Sequence, residues 1–205
     1  MDRLPALERA LATPPDHDLD DHLLAQRFAE RAAADGLVDV VYTSVDSPLG
    51  PLLAAATPRG LVRLSFAREG FEPVLLELAQ RLSPRVVEAP SQLDQVRREL
   101  DEYFARQRTA FSVPVDLALV RGFGEKVLAA ARAIPYGSVR TYAEVAASAG
   151  SPSGARAAGN ALGSNPIPIV VPCHRVVRSG GGLGGYTGGL DIKVRLLELE
   201  GSRLV

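Results

Sequence analysis

The sequence predicts an α+β protein of two units, a small mixed α/β unit followed by a mostly helical one built around a helix-turn-helix. Three observations lead there. Between Val38 and Phe66, β-branched runs alternate with turn-forming residues. From Gly122 onward, apolar residues recur at helical spacing. The charge also changes sign: residues 121–205 carry ten Arg or Lys against five Asp or Glu, net +5, while the first 120 residues carry 13 against 19, net −6.

Residues 1–38 read as a partly helical extension. Asp16-His17-Asp18-Leu19-Asp20-Asp21-His22 is acidic, and carboxylates suit the start of the helix expected over Leu23 to Ala34, which Asp35-Gly36 ends. A solvated helix start accounts for this His/Asp cluster better than a metal site does. Val38 to Thr43, Leu52 to Ala56 and Leu61 to Phe66 read as an antiparallel meander, with turns at Asp46-Ser47-Pro48-Leu49-Gly50 and Thr57-Pro58-Arg59-Gly60. Phe71 to Leu82 is helical in pattern. Ser91-Gln92-Leu93-Asp94 has the form of a capping box opening a helix through Phe104, and Phe111 to Val115 is extended. This α/β unit, 39–115, shows no catalytic cluster, and its role reads as structural.

The second unit spans 116–205. Phe123, Val127, Leu128 and Ala131 share one helical face, and that helix stops before Pro135-Tyr136-Gly137. Thr141-Tyr142-Ala143-Glu144 is a second capping box, opening a short helix through Ala149. After Gly150-Ser151-Pro152, Ser153 is placed to cap a third helix from Gly154 to Leu162, and the pair has the lengths of a helix-turn-helix. In that third helix small residues surround one large cation, Arg156. Such a helix either approaches another surface closely or packs tightly on the core. Gly180 to Gly189 holds seven glycines without a phosphate-loop pattern, so it reads as a loop or tight turn beside a ligand. Asp191 is placed to cap a last helix, ending at Leu197-Glu198-Leu199-Glu200-Gly201.

Composition narrows the class. With 46 % hydrophobic and 23 % charged residues the chain has an ordinary globular makeup, and no apolar run nears the roughly 20 residues needed to span a bilayer. The first residues do not have the form of a signal peptide. One cysteine and no export signal make the cytoplasm the expected location. The basic second unit is the part expected to meet a polyanion. Only two of the 23 basic residues are Lys.

That single cysteine stands in Val171-Pro172-Cys173-His174-Arg175-Val176, after the apolar run Ile167-Pro168-Ile169-Val170. A lone thiol forms no internal disulfide and is a poor start for a zinc site, which leaves a buried inert residue or a nucleophile. An imidazole and a guanidinium next to the sulfur create an electropositive setting that lowers a thiol pKa, so Cys173 is read as reactive.

Together these residues resemble the O6-alkylguanine-DNA alkyltransferases, the methylated-DNA–protein-cysteine methyltransferase family. The resemblance runs from about Val41 to Gly201. It rests on Asp46-Ser47-Pro48-Leu49-Gly50, Pro135-Tyr136-Gly137, Tyr142-Ala143-Glu144-Val145-Ala146, Arg156-Ala157-Ala158-Gly159, Asn165-Pro166, Pro172-Cys173-His174-Arg175-Val176, Tyr186-Thr187-Gly188-Gly189-Leu190 and Glu198-Leu199-Glu200-Gly201. It implies a ribonuclease-H-like α/β N-terminal domain and a winged-helix-like C-terminal domain that binds double-stranded DNA and carries the chemistry.

By this resemblance Cys173 accepts the alkyl group from guanine O6, with O4-alkylthymine as a second candidate substrate. His174 acts through a water as its base, Glu200 orients the imidazole, Asn165 shapes the active-site turn and Tyr142 donates a proton toward the departing guanine. Arg156 enters the base stack in place of the flipped nucleotide. Ala155, Ala157 and Gly159 bring their helix close to the minor groove, Arg175 and Val176 lie on the DNA-binding side, Tyr186 and Thr187 cover the pocket, and Gly188 leaves room for the base. Physical chemistry agrees: displacement at an alkyl carbon wants a soft thiolate, and a base within a duplex must leave the stack before its O6 substituent can be reached. The family reading implies no cofactor, no membrane and a monomer, with cooperative binding along DNA as a further option.

Two departures stand out. Some relatives hold a zinc through Cys and His in the N-terminal domain. Here the only cysteine is the nucleophile, and His17 and His22 precede the matching region, so no metal is expected. The first 38 residues exceed the usual family start. Two other readings compete. A non-transferring lesion sensor of the alkyltransferase-like kind would carry another residue at position 173. A cysteine hydrolase would leave Arg156 and the helix-turn-helix without a purpose.

Overall fold

The computed structural model describes residues 23–24, 27–32 and 35–202. Residues 23–24 and 27–32 are helical, in line with the expected N-terminal helix, while the acidic run 16–22 lies outside the described residues. The helix is tied to the next unit, because Glu30 accepts hydrogen bonds from the backbone N–H of Ser91 (3.2 Å) and from its hydroxyl.

The meander forms as predicted. Strands β1 (Val40–Val45), β2 (Leu52–Thr57) and β3 (Gly60–Phe66) pair antiparallel, with a bulge between Ala55 and Ala56. Helix α1 (Phe71–Arg81) then crosses to β4 (Val86–Glu88), which pairs parallel to β1 and completes the order β3-β2-β1-β4. Sequence patterning does not reveal β4, since three residues between Pro84 and Pro90 are too few to show an alternation.

The sheet is buried on both faces, and that decides where the site lies. On one face Val40, Leu53, Ala55 and Val62 meet Val74 and Leu78 of α1. On the other, Leu52, Ala54, Leu61, Leu64 and Phe66 join a core that continues through helix α2 (Asp94–Phe104) into the helical unit. The backbone is continuous across this seam as well, with Leu64 N–H donating to Pro166 O at 2.8 Å.

In the second unit α3 (Phe123–Arg132) is followed by β5 (Arg140–Thr141), α4 (Tyr142–Ser148) and α5 (Ala155–Gly163). Next come a helical turn at Cys173–Arg175, β6 (Val176–Val177) paired parallel with β5, and α6 (Leu190–Leu199). The Thr141 capping box is present: Thr141 Oγ1 accepts from Glu144 N–H at 3.2 Å, and Glu144 accepts from Thr141 N–H at 2.7 Å. The other expected caps do not form. Ser91 sits inside a short helical turn and turns to Glu30, Gly154 rather than Ser153 precedes α5, and Gly189 precedes α6 with Asp191 already in its first turn. Among the described residues no helix is long and apolar enough to cross a membrane.

Candidate active site

The chain reaches Cys173 through the proline-rich segment Asn165–Pro172, and one side chain holds that segment together. Asn165, buried, accepts from Ile167 N–H at 3.0 Å and donates through Nδ2 to Val171 O at 2.8 Å and to Cys173 Sγ at 3.1 Å. Within this clamp Ile169 is fully buried at φ +71°, a left-handed conformation that a β-branched residue avoids. Such a conformation persists where its surroundings over-determine it, and Asn165 fixes the segment on both sides.

The thiol differs from the sequence expectation. Burial pushes Cys173 up to about 11, against the opposing pull of Asn165, Lys193 and the backbone N–H groups of Cys173 and His174. Neighbours in sequence are not neighbours in charge here. His174 Nε2 and the Arg175 guanidinium are both bonded to Glu200, and burial leaves the resting thiol protonated.

Glu200, at the C-terminal end of α6, collects those groups. His174 Nε2 lies 2.9 Å from Oε1, Arg175 donates through Nη2 to Oε1 at 2.8 Å and through Nε to Oε2 at 2.9 Å, and Gly137 N–H reaches Oε2 at 3.3 Å. Despite its burial, hydrogen bonds from His174 and Arg175 hold the Glu200 carboxyl down at about 2. An ionised carboxylate only accepts, so Nε2 carries the imidazole proton and Nδ1 presents a lone pair. Nδ1 is buried with no hydrogen-bond partner among the described residues. Desolvation lowers the His174 pKa, keeping the ring neutral. A neutral imidazole with a free lone pair and an oriented proton can act as a base.

On its other side Cys173 lines a cavity of about 680 Å³, together with Tyr142, Ala143, Ala155, Arg156, Gly159, Asn160, Arg178, Tyr186 and Thr187 among others. Tyr142 is half-buried, its phenol pKa raised by desolvation and by the Cys173 sulfur. In α5, Ala158 and Leu162 face the core while Arg156 and Ala157 are exposed, so the small-residue helix does both things its composition allowed. Thr187 Oγ1 donates to Gly163 O at 2.9 Å, closing the loop over the end of α5.

Three expected contributors lie elsewhere. Arg175 and Val176 do not reach a DNA-binding surface: Arg175 is buried against Glu200 and also donates to Ile134 O at 2.6 Å, and Val176 is fully buried. The space beside Gly188 belongs to protein, since a Cβ there would meet Phe66 at 2.7 Å and Tyr186 at 2.8 Å. It is Gly184 that makes room in the cavity, where a Cβ would fall 2.5 Å from the Tyr142 hydroxyl oxygen. Sequence reading also passes over Lys193. Fully buried, its ammonium donates to the carbonyls of Val176 (2.5 Å), Leu183 and Gly185 (3.4 Å) and so pins the glycine-rich loop to β6. Its signal was its rarity, as one of two Lys in an Arg-rich chain.

The family model described as the ribonuclease-like domain of 6-O-methylguanine DNA methyltransferase matches residues 40–117, and that of its DNA-binding domain matches 122–202. A methylated-DNA–protein-cysteine methyltransferase of Mycobacterium tuberculosis is 42 % identical over 164 residues, covering 79 % of this chain and 93 % of that protein. The crystal structure of the Mycobacterium tuberculosis O6-methylguanine methyltransferase superposes with a TM-score of 0.68 at 40 % identity, covering 80 % of this chain and 94 % of that one. That of Mycobacterium tuberculosis OGT in complex with DNA gives 0.66 at 40 % identity, covering 78 % and 92 %.

Proposed function

Because the chain belongs to the methylated-DNA–protein-cysteine methyltransferase family, we propose that it repairs O6-alkylguanine in DNA by moving the alkyl group irreversibly onto its own Cys173. The observation that carries this reading is the position of the sulfur, between an open cavity and a buried His174–Glu200 pair.

The steps balance. His174, through a water, takes the thiol proton as the alkyl carbon arrives. A bond forms between Sγ and that carbon, the carbon–O6 bond breaks, and its electron pair goes to the guanine. The Tyr142 hydroxyl meets the developing negative charge and supplies a proton, and the proton released by the imidazolium, carried through solvent, restores the phenol. Guanine is restored and S-alkylcysteine remains, so each molecule acts once. A thiol that rests protonated stays quiet until a substrate is seated, which suits a nucleophile that cannot be regenerated.

Reaching O6 requires the nucleotide to leave the duplex, at a cost of a few kcal/mol. Arg156 fills the vacated position in the stack, and Ala155, Ala157 and Gly159 let α5 approach the minor groove closely. Contacts of this kind go to the backbone, so binding is largely indifferent to sequence. Residues 39–115 act as a scaffold, and residues 116–205 bind DNA and accept the alkyl group. The protein works as a monomer in the cytoplasm, where a lone reduced thiol persists. Titrating a duplex containing O6-methylguanine with protein tests the reading. Restored guanine should rise in step with protein and stop at one per molecule, whereas continued turnover or no repair contradicts it.

A further inference from the structure

Tyr103 belongs to α2, in the unit whose sequence reads as scaffold alone. It is fully buried, and its hydroxyl donates to Glu200 Oε1 at 2.7 Å, the same oxygen that lies 2.9 Å from His174 Nε2. Its ring is fixed among Phe104, Phe111 and Tyr136, with centroids 5.4, 5.3 and 6.1 Å away. We propose that Tyr103 is a positioning residue for alkyl transfer, a hydroxyl from the N-terminal unit that sets the orientation and the available charge of the carboxylate to which His174 is bound. The inference rests on the reading of His174 as the base.

A carboxylate offers about four acceptor positions. Glu200 meets five donors, from Tyr103, His174, Arg175 (twice) and Gly137, so its charge is shared among them. Burial and the Glu200 charge raise the Tyr103 pKa well above the ordinary phenol value, which makes it a permanent donor and never a competing anion. With that hydroxyl gone, Oε1 would bind His174 more strongly and favour the imidazolium, the form that cannot take a proton from Cys173. One bond would also be lost from the set that fixes the carboxylate rotamer.

The other groups around His174 act differently. Arg175 on the same turn and Lys193 on α6 disfavour its protonation, and Tyr186, edge-on at 6.3 Å, stays neutral because burial raises its pKa. The Cys173 thiol and the Tyr136 phenol are likewise neutral at physiological pH, their pKa values raised by burial. Lys193 titrates near 8, on the alkaline side, so the acid limb of a pH profile reports His174.

The test uses the full chain with Tyr103→Phe. Single-turnover transfer is followed with a duplex containing O6-methylguanine and with free O6-benzylguanine, from about pH 5 to pH 8. Amplitude reports the folded fraction and the rate constant reports the site. Transfer about tenfold slower on both substrates is expected, the size of one lost hydrogen bond to a charged group. DNA affinity should be unchanged, and the acid limb should move to higher pH. If the phenylalanine protein folds too poorly to give an amplitude, 3-fluorotyrosine installed at this position alone keeps the packing and strengthens the donor, and should move the limb to lower pH. An unchanged rate and pH profile in either protein overturns the proposal. A wild-type protein that transfers nothing refutes the proposed function instead.

Discussion

The two sides of the Cys173 turn are built on opposite principles. Outward lies a cavity edged by the exposed Arg156 and by α5 with its small residues. Inward lies a buried network in which one carboxylate is held by a guanidinium, an imidazole, a phenol and a backbone N–H. In the function proposed above, the outer side decides what reaches the sulfur and the inner side decides when the sulfur can ionise. Because these tasks fall to different residues, substitutions on the two sides should fail in different ways.

The sharpest break comes from the inner side. Arg175→Met leaves Glu200 buried without its cation, and removing one partner of such a pair typically costs about 3–5 kcal/mol. Urea unfolding should show that loss, with little change in the DNA affinity of the protein still folded. A variant of native stability that binds DNA poorly would return Arg175 to the outer side. A smaller effect, confined to one substrate, is expected from Arg156→Ala. Repair of O6-methylguanine in a duplex should slow by about tenfold or more, since the flipped state loses its filler, while reaction with free O6-benzylguanine changes less than about twofold. Equal losses on both substrates would refute the role of Arg156 in flipping.

Legibility in the sequence follows the range of each interaction. The Thr141–Glu144 cap spans one helical turn and the meander is marked by adjacent turn residues, so both are readable locally. Cys173 and its cavity partners Tyr142 and Arg156 are likewise carried by short, specific motifs. The inner network is another matter. Tyr103 meets Glu200 across 97 positions, and nothing near either residue announces the pair. Arg175 shows how adjacency misleads: beside Cys173 it suggested a lower thiol pKa, yet its side chain points into the protein and burial raises the thiol. Ser91 followed the pattern of a cap, but the carboxylate of Glu30 captured it from a distant segment.

Cys173 itself is the proposed acceptor. Incubating the protein with a duplex containing O6-methylguanine, then mapping the modification by intact-protein and peptide mass spectrometry beside Cys173→Ser, tests it most directly. A single methyl on Cys173, saturating at one per chain and absent from the serine variant, is the expected result. Protein that binds the lesion yet stays unmodified, or a methyl carried by another residue, would contradict it.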